Sequence, residues 1–189
     1  MPPADDPDAI PWPPPTGVEA ALLAGGAALL AWSQVTRGLV AAALAGADLV
    51  FHEAGHVVCG VLGLRFVTLL GGTLGQLAFP VAAGLGFALR RRTVAAAAMI
   101  VWFGVNLVDI GTYAADAEAR VLPLLAPDRN AHDWWQMLGM LGIRERCEGI
   151  GGTLQALGWA LQGAAPAWAV ALWCGRRSTR SGRTAVRDA

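Results

Sequence analysis

The sequence has no lysine: its 14 basic residues are all arginine, and 14 acidic residues balance them to a formal charge of zero. The arginines sit in short clusters between apolar runs, so no continuous basic surface is expected and nucleic acid is not an expected partner. Cysteine is scarce as well, with Cys59, Cys147 and Cys174 in separate segments and no C-x-x-C spacing. That spacing excludes a zinc–thiolate site and a disulfide framework, and each cysteine reads as a small buried hydrophobe. The first 17 residues hold seven prolines, three aspartates and no basic residue. Lacking a basic n-region, this stretch reads as an extended, disordered tail (1–17) rather than a signal peptide.

Charged residues make up only 15% of the chain against 55% hydrophobic, and the mean hydropathy is +0.48. This is a membrane composition. The expected fold is all-α, a polytopic integral membrane helix bundle of about five transmembrane helices, over 18–175, with a basic tail at 176–189. Apolar runs at about 18–36, 38–62, 73–89, 93–115 and 150–174 each approach the length that crosses a bilayer core of ~30 Å. The first two are joined by little more than Thr36-Arg37-Gly38 and the middle two by Arg90-Arg91-Arg92, which predicts antiparallel neighbours.

The positive-inside rule places the triple-Arg loop and the C-terminal arginines on the cytoplasmic side. Five crossings then put the N-terminus and the 116–149 loop outside, in a plasma membrane of bacterial type. The connection at 63–72 is too apolar for a solvated loop and too short for a span, and is expected to lie extended or re-entrant against the bundle. Gly-Gly-Thr-Leu occurs twice, at 71–74 and 151–154, each where a span starts from the outer side. Threonine would serve as N-cap there and the glycines would permit the turn. In the long loop, Trp134 and Trp135 are expected as interfacial anchors, 137–143 as a short surface helix and 144–148 as a solvated turn.

Within the second run stands Phe51-His52-Glu53-Ala54-Gly55-His56, an H-E-x-x-H motif. On a helix His52 and His56 share a face, so both imidazoles can hold one Zn2+ ion while Glu53 reaches a metal-bound water as general base. A third ligand is needed, and the fourth run offers Asn106, Asp109, Tyr113 and Asp116, whose offsets of 3, 7 and 10 place them within roughly 80° of helix arc. His52 is 14 residues from the inner end of its run and Asp109 is 16 from the inner end of its own, about 21 and 24 Å deep. Asp109 is therefore the first choice, with Asp116 and His132 as alternates. Asp48, one turn before His52, can orient its imidazole, and Asn106, Tyr113 and Gln76 are further polar neighbours. His132-Asp133 can cap the site from the loop.

His-Glu-Ala-Gly-His in an early span, with Asn106-Leu107-Val108-Asp109 in a later one, resembles the site-2 protease family of intramembrane zinc metalloproteases. The likeness covers roughly residues 48–116. It implies His52, His56 and Asp109 as zinc ligands, Glu53 as general base, a membrane protein or peptide as substrate, and an extended 63–72 segment presenting that substrate. The motif string also occurs in membrane-anchored ATP-dependent zinc proteases, but the chain has no nucleotide-binding P-loop. A zinc hydrolase of lipid amides or esters, and a non-enzymatic metal-binding or transport protein, are the alternative expectations.

Overall fold

A computed structural model describes residues 12–125 and 128–187, with side chains as far as Arg176. The expected tail at 1–11 and the arginine side chains beyond Arg176 lie outside the described residues. Six α-helices account for most of the rest: α1 (Gly17–Thr36), α2 (Leu39–Gly60), α3 (Arg65–Leu89), α4 (Thr93–Ala115), α5 (Asp133–Leu141) and α6 (Cys147–Arg187). No strand occurs among the described residues. α1, α3 and α4 are long and apolar enough to cross a membrane. Their outer faces carry exposed Leu22, Leu29, Trp32, Leu85 and Leu89, the surface that a lipid solvent accommodates and water does not. The described helices are thus compatible with a membrane protein.

Helix starts follow local chemistry. α1 opens with a capping box in which the Thr16 hydroxyl accepts from Glu19 N–H and the Glu19 carboxylate accepts from Thr16 N–H. α2 starts where the Ser33 hydroxyl accepts from Ala41 N–H, across the left-handed residue Arg37. The expected extended segment at 63–72 is instead helical from Arg65 onward, with only a short turn through Gly63 before it. An extended chain there would leave its backbone donors and acceptors unmet in an apolar setting, whereas a helix satisfies them internally. Both Gly-Gly-Thr-Leu stretches consequently lie inside helices, α3 and α6, and neither threonine is an N-cap.

The expected α1–α2 hairpin is corrected more deeply. The Thr93 hydroxyl at the start of α4 donates to Pro13 O at 2.6 Å, Trp12 stacks edge-on against Trp168, and Gly17 lies against Trp173. Residues 12–16 are therefore packed, not loose, at the same end of the bundle as the Arg90–Arg92 turn. From there α1 rises beside α4: Leu23 and Ala27 share a core with Ala97, Val101, Ala165 and Ala169, and Gln34 reaches Val105 O. α2 ends at the opposite pole, where Gly60 faces Thr68 and the adjoining Arg65 bonds Gln136 of α5. α1 and α2 thus begin and end at opposite poles, rather than returning as an antiparallel pair. The first described residues, from Trp12, therefore lie at the pole of the triple-Arg turn, where alternation of five spans would set them across the bundle from it.

Candidate metal centre

α2 and α3 run antiparallel and touch through glycines. A methyl group at Gly71 would sit 2.5 Å from Gly55 O and 2.7 Å from the Cys59 β-carbon, and one at Gly75 would collide with Phe51 O. Backbone therefore meets backbone, as in small-residue contacts between membrane helices. The close approach has a chemical consequence at Gly72, where a methyl would lie 2.5 Å from His52 Nε2 and 2.6 Å from His56 Nε2. Only glycine leaves the two ring nitrogens uncovered.

His56 Nδ1–H donates to Thr68 O at 2.8 Å, which fixes the tautomer and leaves the Nε2 lone pair free. His52 Nε2 and His56 Nε2 both converge on one oxygen, Asp133 Oδ2, at 3.1 and 3.3 Å. The three ligand atoms lie within 4.8 Å of one another. Two imidazole nitrogens and one carboxylate, with the remaining side facing a cavity, form a group that could hold a metal ion. Glu53, exposed on the next position of α2, lines that same cavity.

Asp133 is brought in by the loop after α4. The Asp116 carboxylate accepts from Val121 N–H and Leu122 N–H at 3.0 Å each, folding the chain back as it leaves α4. Its Oδ2 also lies 3.6 Å from His132 Nε2. His132 is fully buried, stacks on Tyr113 at 4.0 Å between ring centres, and caps α5 by accepting from Trp135 N–H at Nδ1. Burial pushes the His132 imidazole below its usual range, against the opposing pull of Asp116 and Asp133. The Tyr113 hydroxyl accepts from Asp133 N–H at 3.1 Å. Asp133 therefore enters the site as the first residue of α5, held by its neighbour His132 and by Tyr113.

The structure thus separates the expected residues. His52, His56 and Glu53 come together as expected, while Asp109, Asp116 and His132 are all absent from the ligand group. Depth was matched, for Asp109 lines the same cavity as His52, but Tyr113 is the residue whose ring stands 6.3 Å from the His52 ring. Asp109 faces Gln34 and Asp48 instead. Height on a helix pair does not set azimuth or register. Asp48 does not touch an imidazole either; its Oδ1 accepts from Trp102 Nε1 at 3.0 Å. Gln76 is buried and lines the cavity beside Thr73. Asp133 was expected, with His132, only as a cap over the site from the loop; it is instead the third member of the group that could hold a metal ion.

The cavity measures about 640 Å³ and runs from the histidines past Glu53, Gln76 and Asp109 to Leu124 and Leu125 of the loop. The paired tryptophans hold that loop. Trp135 lies between the guanidinium groups of Arg120 and Arg144, 4.6 and 4.1 Å from its ring centre, contacts worth about 0.5–1 kcal/mol each when exposed. Trp134 packs on the cluster of Ala117, Leu138 and Cys147. The segment expected as a surface helix is α5, and its Met137 and Leu138 are buried. Of the cysteines, all free, Cys147 is buried, Cys59 half-buried and Cys174 exposed.

Comparison of the chain with protein-family models, with curated proteins and with solved structures finds no match.

Proposed function

We propose that this chain is a membrane-embedded zinc metallopeptidase, similar in plan to the site-2 proteases, that hydrolyses peptide bonds of membrane-associated substrates. The observation that carries the reading is the convergence of His52 Nε2 and His56 Nε2 on Asp133 Oδ2, with Glu53 on the same helix and the same cavity. His52, His56 and Asp133 would hold the metal, which when bound supplies a Lewis acid and an acidified water. Glu53 accepts the proton of the attacking water and returns it to the leaving amine. The Thr68 carbonyl holds His56 in its ligating tautomer, and Tyr113 holds the Asp133 backbone. Gln76 and Thr73 offer hydrogen bonds to an extended substrate backbone lying in the cavity.

The bundle makes four end-to-end passes in this reading: α1 and α2 jointly, then α3, α4 and α6. Arg90–Arg92 and Arg176 mark one pole, so the positive-inside rule sets both ends of the helical domain on the cytoplasmic side and the metal centre toward the outer leaflet. Purified full-length protein is expected to bind one equivalent of zinc, to lose it in His56→Ala, and to cleave membrane peptides in a Glu53-dependent manner. Zinc-loaded protein that cleaves lipid amides or esters and spares peptides would replace the substrate class. Metal flux into proteoliposomes that survives Glu53→Gln would replace the hydrolase reading altogether.

A further inference from the structure

Two polar side chains of α3 have no partner among the described residues. Thr73 is 8% exposed and Gln76 9% exposed, and both line the cavity that holds the histidines. Other helical threonines spend their hydroxyl locally: Thr36, Thr68, Thr112 and Thr153 each donate to the carbonyl four residues back. Thr73 makes no such bond, and no hydrogen bond joins the Gln76 amide to another described side chain or carbonyl. Neither polar end is sealed off between helices, so what both meet is the cavity. A buried hydroxyl and a buried primary amide without partners cost stability unless something else satisfies them.

Their place says what that is. Gln76 follows Gly72 by one turn on the same face, so it stands about 6 Å farther along the helix axis than the glycine that roofs the two Nε2 atoms. Thr73 and Gln76, three apart, have β-carbons about 5–6 Å from each other and carry both donors and acceptors between them. An extended chain advances about 3.4 Å per residue and presents the N–H and C=O of one residue on the same edge. An ester offers acceptors alone and would leave Gln76 Oε1 without a donor, whereas a peptide backbone satisfies both ends. We propose that Thr73 and Gln76 are the specificity-determining pair of this cavity, hydrogen-bonding the N–H and C=O of one extended substrate residue about two positions from the cleaved bond, and so selecting a peptide chain over a lipid ester. The assignment rests on the peptidase reading of the same cavity: His52, His56 and Asp133 would act on the bond, and Thr73 and Gln76 set which chain lies across them and in what register.

The test separates binding from cleavage. Full-length Glu53→Gln protein in detergent with zinc is titrated with a library of fluorescein-labelled apolar peptides, and the tightest binder is remade with each backbone N–H in turn replaced by an ester oxygen. One replacement is expected to weaken binding about three- to tenfold, the range of a single hydrogen bond. That penalty should vanish when Gln76→Leu is added, while the penalties at other positions stay. Thr73→Val should weaken the parent peptide by a similar factor. Melting temperature and zinc content should hold in both variants, which a structural role for either side chain would not allow, and Gln76→Met covers the case in which Gln76→Leu does not fold. A penalty that persists in both Gln76 variants, or tighter binding of diacyl phosphatidylcholine than of any peptide, would overturn the pair. Wild type that cleaves the peptides with no Gln76-dependent position overturns the pair and keeps the peptidase; a Gln76-dependent position in peptides that zinc-loaded wild type leaves uncut keeps the pair and overturns the peptidase.

Discussion

Gly71-Gly72-Thr73-Leu74 and Gly151-Gly152-Thr153-Leu154 are the same four residues in two helices, and the bundle uses them differently. In both, the first glycine lets main chain meet main chain: Gly71 lies on Gly55 of α2, and Gly151 lies on Gly111 of α4. The second glycines diverge. Gly72 faces the Nε2 atoms of His52 and His56, while Gly152 has no neighbour within 4 Å of where a side chain would begin. The α4–α6 pair repeats its contact two turns on, at Gly104 and Gly158, and is the more extensive of the two helix pairs. One glycine stripe is scaffold alone; the other is scaffold and also the roof over two imidazole nitrogens. A short motif therefore fixes how closely helices approach, and the partner helix decides what that closeness is for.

The largest effect that sharpens this contrast is expected from Glu53→Gln on the functional pair. Loss of a general base should reduce peptide hydrolysis by about 10²–10⁴-fold, with zinc content unchanged, as read by activity and metal analysis on the same sample. Next comes Asp133→Asn, expected to lower zinc affinity by about 100-fold, whereas Asp109→Asn keeps the zinc equivalent. Competition with a chromogenic chelator measures both, and the opposite ranking would return the third ligand to α4.

Gly72→Ala against Gly151→Ala breaks the comparison directly. A methyl at Gly72 crowds the ring nitrogens and should abolish stoichiometric zinc at small cost to the fold. A methyl at Gly151 pushes α6 off α4 and should cost about 1–3 kcal/mol of stability while zinc binding survives in the folded fraction. Thermal unfolding and metal content, taken together, separate them; equal zinc loss in both variants would sink the distinction. The smallest effect is expected from Asp116→Asn, which weakens the clasp on Val121 N–H and Leu122 N–H and loosens the loop that delivers Asp133. Zinc affinity should fall by about tenfold, within the range of an outer-shell partner, with the rate at saturating zinc little changed.

Much of the site was legible in residue order. The i, i+4 spacing of His52 and His56 puts both on one helix face whatever surrounds them, and Glu53 follows by adjacency. The apolar runs likewise forecast α1 to α4 to within a few residues, apart from the helix start at Arg65. The polar stripe on α4 was real, since Asn106, Asp109 and Tyr113 all turn inward, yet none of its members joins the group of His52, His56 and Asp133. Asp109 and His52 line one cavity, but Asp109 faces Gln34 and Asp48 while His52 meets Asp133.

Sequence alone determined what is local: the helical class, the two imidazoles with Glu53 beside them on one helix, and the triple-Arg turn between α3 and α4. Tertiary structure decided the rest. That α1 starts beside Thr93, that Gly72 lies over the histidines, and that Asp133 reaches them from 77 residues beyond His56 depend on contacts between segments far apart in the chain. Periodicity fixes which face of a helix is polar, but only the packing of the other helices fixes what that face meets.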